Sequence, residues 1–138
     1  MPVRTSEATW EGDLQKGNGQ MTVGDGVYEG AYTFASRFEH GEGTNPEELI
    51  AAAHAGCYAM ALSNDLADDG HEPDRVHAEA SVHLEGTEIS GIDLDVEAEV
   101  PGIEEESFLE YAEGAKENCP VSVALAAVPE ITLSATLA

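Results

Sequence analysis

The sequence predicts an α+β fold with antiparallel sheet and one long buried helix. Three observations carry this prediction: short β-prone segments in the first third, a long apolar helical segment after them, and two alternating segments in the second half. With 138 residues, the chain is long enough to form its own hydrophobic core. We therefore expect a single domain over residues 1–138.

The opening third predicts short strands joined by tight turns. Four segments rich in β-branched and aromatic side chains are residues 8–12, 20–23, 27–28 and 32–34. Glycine-containing turns lie between them, and such turns between β-prone residues are a hairpin signal. Residues 35–44 are predicted to form a polar loop that carries Arg37.

A long helix is predicted to follow this loop. Asn45 suits the N-cap, Pro46 suits the first helical position, and an acidic residue stands three positions after the cap. The pattern continues to Gly70, which gives a helix of roughly 24 residues and about 36 Å. Its first half is apolar nearly all round. A small domain can hardly cover such a helix alone, which indicates a partner subunit.

The second half predicts a sheet and two further helices. Residues 75–84 and 92–100 alternate apolar with polar side chains, so they are expected to pair as an antiparallel ribbon. The remaining predicted elements are a helix at 104–117, a short helix at 120–128 with Cys119 near its N-cap, and a closing strand at 131–137.

Charge excludes one class of partner. The chain has 28 Asp and Glu against 5 Lys and Arg, a net charge of −23. Nucleic acid is not an expected partner, because binding to phosphates depends on cations that this chain lacks. Acidity this uniform resembles proteins of salt-accumulating halophiles, so we predict that stability rises with KCl. No secretory signal or membrane-spanning segment is recognised, and we expect a soluble, cytoplasmic protein without a membrane partner.

Cys57 is the first candidate for chemistry. It lies in the apolar run from residue 49 to residue 62, where a thiol is normally inert. Glu47 stands ten residues earlier, about 15 Å along a helix, so it cannot touch the sulfur. It can fix the guanidinium of Arg37, and a bidentate pair would hold a positive charge near the sulfur and favour the thiolate. Core packing for Cys57, a surface ion pair for Arg37 and helix-dipole compensation for Glu47 stay open as alternatives.

Cys119 directly precedes Pro120, where a helix is predicted to begin. Free N–H groups at a helix start lower the pKa of a thiol. If the Cα atoms of Cys57 and Cys119 come within about 4.4–6.8 Å, the two can form a disulfide after peroxide has oxidised one of them. A static buried thiol is the alternative.

The histidines favour no metal site. His77 and His83 share a strand face but stand about 20 Å apart on an extended strand, too far to chelate one ion. The sequence contains no CxxC or HExxH motif, and no cofactor is expected. His54 lies three residues before Cys57 and can act either as a base or as an ordinary buried histidine.

Taken together, these motifs resemble the OsmC/Ohr family of osmotically inducible and organic hydroperoxide resistance proteins, and its OsmC branch in particular. The resemblance covers nearly the whole length. Its most specific runs are Gly-Thr-Asn-Pro-Glu-Glu-Leu-Ile-Ala-Ala-Ala-His-Ala-Gly-Cys at 43–57 and Cys-Pro-Val-Ser at 119–122. It also includes Thr-Trp-Glu-Gly-Asp at 9–13, Ser-Arg-Phe-Glu at 36–39, Met-Ala-Leu-Ser at 60–63, Val-Pro-Gly-Ile at 100–103 and Ile-Thr-Leu at 131–133. It implies an intertwined homodimer, with antiparallel sheets packed around long central helices.

The resemblance also implies a function. Cys57 corresponds to the peroxidatic cysteine, Cys119 to the resolving cysteine, and Arg37 with Glu47 to the pair that activates the thiolate. It implies a hydroperoxide substrate and an external dithiol reductant of the lipoyl type, with no flavin, haem or metal. Two rival functions stay open: a dimer that binds a small apolar ligand, and a stress protein without catalysis.

Overall fold

The structure, a computed structural model, describes residues 2–138 and contains both helices and sheets, which confirms the α+β class. The described chain forms two compact units, one up to Leu49 and one from Ile50 onward. Within residues 2–138, none of the helices has the length and apolar character that crossing a membrane requires.

The first unit contains a three-stranded antiparallel sheet in the order β1-β2-β3, formed by Ser6–Glu11, Asn18–Val23 and Tyr28–Tyr32. The rings of Trp10 and Tyr32 lie 5.3 Å apart, and Gly19 lies opposite both on the middle strand. A Cβ atom at Gly19 would come within 2.6 Å of each ring. Glycine is therefore required here by the close approach of the rings.

The prediction of a loop over residues 35–44 is wrong in its first part, because Phe34–Phe38 form a short helix, α1. Thr33 caps it: the Ser36 N–H donates to Thr33 Oγ1 at 3.1 Å, and the Thr33 N–H donates to Ser36 Oγ at 2.8 Å. This reciprocal capping uses serine where glutamate or glutamine is the usual signal. A helix of five residues is also too short to show a helical period.

The long helix α2 runs from Pro46 to Asp68, close to the predicted bounds. The Glu48 N–H donates to Asn45 Oδ1 at 2.8 Å, which confirms the predicted N-cap. In the second unit, Tyr58, Leu62 and Leu66 of this helix are fully buried. The opposite face is uncovered in the single chain; its exposed residues are Ala52, Ala53, Gly56 and Met60, of which Met60 is 77% exposed.

The second unit contains a sheet in the order β4-β5-β6, formed by Arg75–Glu85, Glu88–Glu99 and Ile131–Leu137. β4 and β5 pair antiparallel as predicted, whereas β6 pairs parallel to β5. The parallel pairing differs from the antiparallel sheet expected from the alternating pattern. Its cause is the helical connection between β5 and β6, because a chain that crosses back through helices re-enters the sheet in the same direction.

That connection consists of α3, Glu105–Asn118, and α4, Pro120–Ala124. α4 is shorter than the predicted helix over 120–128. The Tyr58 hydroxyl of α2 donates to the Ala112 carbonyl of α3 at 2.9 Å, which ties the two helices together. The core of this unit joins α2, α3 and the inner face of β5; its buried members on α3 and β5 include Ile92, Leu94, Val96, Ala98, Phe108, Ala112 and Ala115.

Candidate active site

The Arg37–Glu47 ion pair predicted from the sequence is present in the first unit. Arg37 Nε donates to Glu47 Oε1 at 3.0 Å, and a terminal guanidinium nitrogen donates to Oε2 at 2.9 Å. Parallel bonds of this kind fix both the position and the orientation of the guanidinium plane. The Glu47 side chain is 9% exposed, whereas that of Arg37 is 37% exposed. The carboxylate is therefore a buried anchor, and part of the Arg37 side chain stays exposed to solvent.

The segment between these two residues is held by its own hydrogen bonds. Ser36 Oγ donates to the Thr44 carbonyl at 2.7 Å, and Asn45 Nδ2 donates to the Ser36 carbonyl at 2.8 Å. The Arg37 guanidinium also stacks on the Phe38 ring, 5.3 Å from its centroid. Hydrogen bonding to Glu47 raises the pKa of Arg37 above its ordinary value, so the group stays charged at any physiological pH.

The two cysteines lie together in the second unit. Cys57 is half-buried on α2, and Cys119 is fully buried at the N-cap of α4. Both are free thiols, and they lie close enough for each to shift the pKa of the other. Sulfur atoms this close need little movement to form a disulfide.

The surroundings of the two thiols shift their pKa values in opposite directions. Burial raises the pKa of Cys57, its hydrogen bond to Cys119 raises it further, and the Val121 backbone N–H does not offset this. Burial alone would raise the pKa of Cys119 as well, but hydrogen bonds from Cys57 and from the backbone and hydroxyl of Ser122 lower it below the ordinary value. The surroundings within the second unit thus favour an ionised Cys119. Ionisation of Cys57 by Arg37 stays a prediction.

A buried polar pair lies next to Cys119. His54 on α2 is 0% exposed, and its Nε2 lies 2.6 Å from the hydroxyl of Ser122, which is 6% exposed. The Nδ1 atom of His54 is buried without a hydrogen-bond partner. Burial lowers the pKa of His54, so the ring is neutral at physiological pH. Among residues 2–138, the one hydrogen-bond partner of the ring is the Ser122 hydroxyl.

Comparison with known proteins decides the family. The family model described as OsmC-like protein matches residues 39–134, which is more than half of the chain. The chain belongs to the OsmC-like family. The match includes Glu47, Cys57 and Cys119, and Arg37 lies two residues before it.

Relatives of this OsmC-like chain support the assignment. It is 44% identical to Peroxiredoxin OsmC of Escherichia coli (strain K12) over 135 residues, covering 94% of this chain and 93% of that protein. It is 33% identical to an organic hydroperoxide resistance protein of Xanthomonas axonopodis pv. citri (strain 306) over 97 residues, 68% of each chain. An OsmC-like protein from Mycoplasma pneumoniae shares the fold, with a TM-score of 0.76 at 14% identity over 99% of this chain and 97% of that one.

The side chains of this OsmC-like chain that could bind a metal ion are not clustered. His83 Nε2 pairs with Asp93 at 2.7 Å on the exposed face of the second sheet. Among residues 2–138, no group of three or more His, Cys, Asp or Glu side chains is arranged to hold a metal ion.

Sequence reasoning missed Ser122. It left His54 open as either a base near Cys57 or an ordinary buried histidine, and the ring is buried. The structure places the His54 ring on Ser122, which is 68 positions away in sequence. One local signal was available: Ser122 stands three residues after the cap residue Cys119, where a side chain can reach back to the cap.

Proposed function

We propose that the chain is a thiol-dependent peroxidase that reduces organic hydroperoxides to alcohols through a two-cysteine cycle. One observation carries the proposal: two free thiols lie close enough to shift each other's pKa in a chain that is 44% identical to a peroxiredoxin. A cysteine peroxidase of this kind requires a nucleophilic sulfur and a second thiol close enough to condense with the oxidised one. Organic hydroperoxides are the proposed substrates, and hydrogen peroxide is a second one.

In the first step, the Cys57 thiolate attacks the terminal oxygen of the hydroperoxide. The O–O bond breaks, the alkoxide leaves and takes a proton to become an alcohol, and Cys57 carries a sulfenic acid. Arg37, anchored by Glu47, is proposed to stabilise the Cys57 thiolate and the negative charge that develops on the peroxide oxygens. The bidentate geometry of that pair supports this role, because the charge is fixed before the reaction begins.

In the second step, the Cys119 thiolate attacks the Cys57 sulfur. The S–O bond breaks, hydroxide leaves and is protonated to water, and a disulfide forms. The lowered pKa of Cys119 supports its role as the attacking thiol. An external dithiol, proposed to be of the lipoyl type, then reduces the disulfide and restores both cysteines.

The active form is proposed to be an intertwined, cytoplasmic homodimer in which residues 1–138 act as one OsmC-like domain. The uncovered face of α2 supports the dimer, because Ala52, Ala53 and Gly56 are small and Met60 is a large apolar side chain 77% exposed in the single chain. Small residues allow a second helix backbone to approach closely, and burial of the apolar face would drive association.

The test is mass spectrometry after addition of one equivalent of cumene hydroperoxide to the reduced protein. We expect a loss of about 2 Da that maps to a bond between Cys57 and Cys119. Cys57→Ser should abolish peroxide consumption. Cys119→Ser should still consume one equivalent and gain about 16 Da as a sulfenic acid. Binding of the hydroperoxide without its consumption would contradict the proposal and favour a ligand-binding protein.

A further inference from the structure

The resolving cysteine is in contact with a buried polar group that the two-step cycle does not use. The buried Ser122 lies in the first turn of α4, three residues after Cys119, and its N–H and hydroxyl both act to lower the pKa of that thiol. The same hydroxyl lies 2.6 Å from Nε2 of the fully buried His54. The Ser122 hydroxyl is thus bonded to the His54 ring on one side and has the Cys119 thiol as its neighbour in the same helical turn.

Counting hydrogens shows which of these three groups donates and which accepts. A serine hydroxyl has one hydrogen, so it can donate either to His54 Nε2 or to the Cys119 sulfur, but not to both. When the sulfur is a thiolate, the hydroxyl hydrogen points to the sulfur. His54 Nε2 must then carry its own hydrogen and donate it to the Ser122 oxygen.

The other ring nitrogen agrees with this direction. In the part of the chain that the structure describes, the buried Nδ1 of His54 has no hydrogen-bond partner. In the neutral Nε2–H tautomer, Nδ1 is an acceptor lone pair without a donor. In the other tautomer it would be an N–H group without an acceptor, and buried N–H groups without partners are the rarer case in proteins. Burial also keeps the ring neutral. The Nε2–H tautomer therefore gives a partner to every polar atom of the three groups except this Nδ1 lone pair.

We propose that His54 and Ser122 are positioning residues for the second step of the cycle, in which His54 Nε2–H holds the Ser122 hydroxyl in the orientation that donates to the Cys119 thiolate. The inference rests on the proposed peroxidase function and deepens it. Cys119 is kept ionised and directed, so that it attacks the Cys57 sulfenic acid and hydroxide leaves as the S–S bond forms. Neither positioning residue takes part in the first step.

The size of the effect can be estimated from the chemistry of thiolates. Loss of one hydrogen bond to a charged sulfur lowers its ionised fraction by about ten- to a hundredfold. The less acidic sulfur is also a better nucleophile, and this recovers about the square root of the loss. We therefore expect disulfide formation to slow by about three- to tenfold in Ser122→Ala and in His54→Leu.

The experiment is a single-turnover reaction of the reduced protein with one equivalent of cumene hydroperoxide. Samples quenched with dimedone at successive times give the amounts of Cys57 sulfenic acid and of disulfide by mass spectrometry. In Ser122→Ala and His54→Leu, we expect the sulfenic acid to live about three- to tenfold longer, while hydroperoxide is consumed at the parental rate. Ser122→Thr keeps the hydroxyl and should restore fast disulfide formation, as His54→Gln should in part, because its amide can donate.

Matched controls are Ser134→Ala and His77→Leu, which make the same changes on exposed strand positions of the second unit. Disulfide formation at the parental rate in both Ser122→Ala and His54→Leu would overturn the inference. Equal slowing of both steps, without rescue by Ser122→Thr, would also overturn it, because it would indicate a purely structural role. If His54→Leu does not fold, the comparison of Ser122→Ala with Ser122→Thr decides. A parent protein that consumes no hydroperoxide would instead disprove the proposed function itself.

Discussion

The two units of the chain carry different parts of the proposed chemistry. The first unit holds a cation fixed by a carboxylate, and the Arg37 side chain is 37% exposed. The second unit holds two thiols and a buried His54–Ser122 pair, and its surroundings raise the pKa of Cys57 while they lower that of Cys119. The comparison teaches that the unit with the nucleophile does not by itself activate it. The surroundings of Cys57 within the second unit favour its thiol form, and the first unit carries the cation that we propose as its activator.

The largest expected effect comes from removing that charge. Arg37→Ala should slow the reaction of Cys57 with cumene hydroperoxide by about a hundredfold or more, because both the thiolate and the developing charge lose their partner. Arg37→Lys should recover only part of the rate, since an ammonium cannot make the bidentate pair. The measurement is the initial rate of hydroperoxide consumption with excess dithiol.

Arg75→Ala is the matched control, because Arg75 also pairs with a carboxylate, Glu97, at 2.6 Å, but on the exposed face of the second sheet. It should leave the rate unchanged. Parental activity in Arg37→Ala would contradict the proposal that Arg37 of the first unit activates Cys57 of the second.

The next largest effect concerns stability of the second unit. Leu62→Ala removes a fully buried side chain of α2 from the core around Phe108 and Leu94. We expect the free energy of unfolding to fall by about 2–5 kcal/mol, from the lost burial and the cavity left behind. Urea denaturation followed by circular dichroism measures it, and Leu14→Ala, at an exposed position of the first unit, is the control. Equal losses in both variants would contradict the assigned core.

The dependence of stability on salt concentration tests whether repulsion between the acidic side chains destabilises the folded protein. With a net charge of −23, the protein should become more stable between about 0.1 M and about 2 M KCl, because the Debye length shrinks to about 3 Å near 1 M. The thermal unfolding midpoint gives the answer, with sucrose as a control that does not screen charge. A midpoint that does not change with KCl would contradict the hypothesis that the protein is adapted to high salt.

The smallest effect is a pH dependence that belongs to the second unit alone. Burial lowers the pKa of His54 below its ordinary value of 6.5. Below that pH the unfolded chain binds a proton that the folded chain does not, so stability is lost as the pH falls. His54→Gln should lack about 1 kcal/mol of the stability change between about pH 7 and about pH 5.5.

Urea titrations of the parent and the variant at both pH values measure this difference, since the carboxylates contribute equally to both proteins. Tyr58→Phe removes a buried hydroxyl that does not titrate in this range and is the control. An identical pH dependence in parent and His54→Gln would show that folding does not lower the pKa of His54.

Local signals made much of this architecture predictable. Asn45 and Pro46 fixed the start of α2, and the alternation on β4 and β5 fixed their pairing, because caps and periodicity act over a few residues. The Arg37–Glu47 pair was also predictable, since cations are scarce and Glu47 lies in the first turn of the helix.

What could not be predicted depends on distant contacts or on very short elements. α1 exists because of one capping box, Thr33 with Ser36, and has no period to detect. The parallel direction of β6 is set by the path of α3 and α4 rather than by its own residues. The His54–Ser122 contact joins residues 68 positions apart. No local pattern encodes it.

Gly56 offers a sensitive probe of what covers the long helix. A side chain added at this position meets no atom within 4 Å in the single chain. Replacing a mid-helix glycine by alanine stiffens the unfolded backbone and normally stabilises a helix by about 1 kcal/mol. If Gly56→Ala makes the protein less stable instead, the methyl group must be colliding with a neighbouring molecule. The stability change caused by one methyl group would thus report how closely a second molecule packs against α2, because the methyl group meets no atom of its own chain.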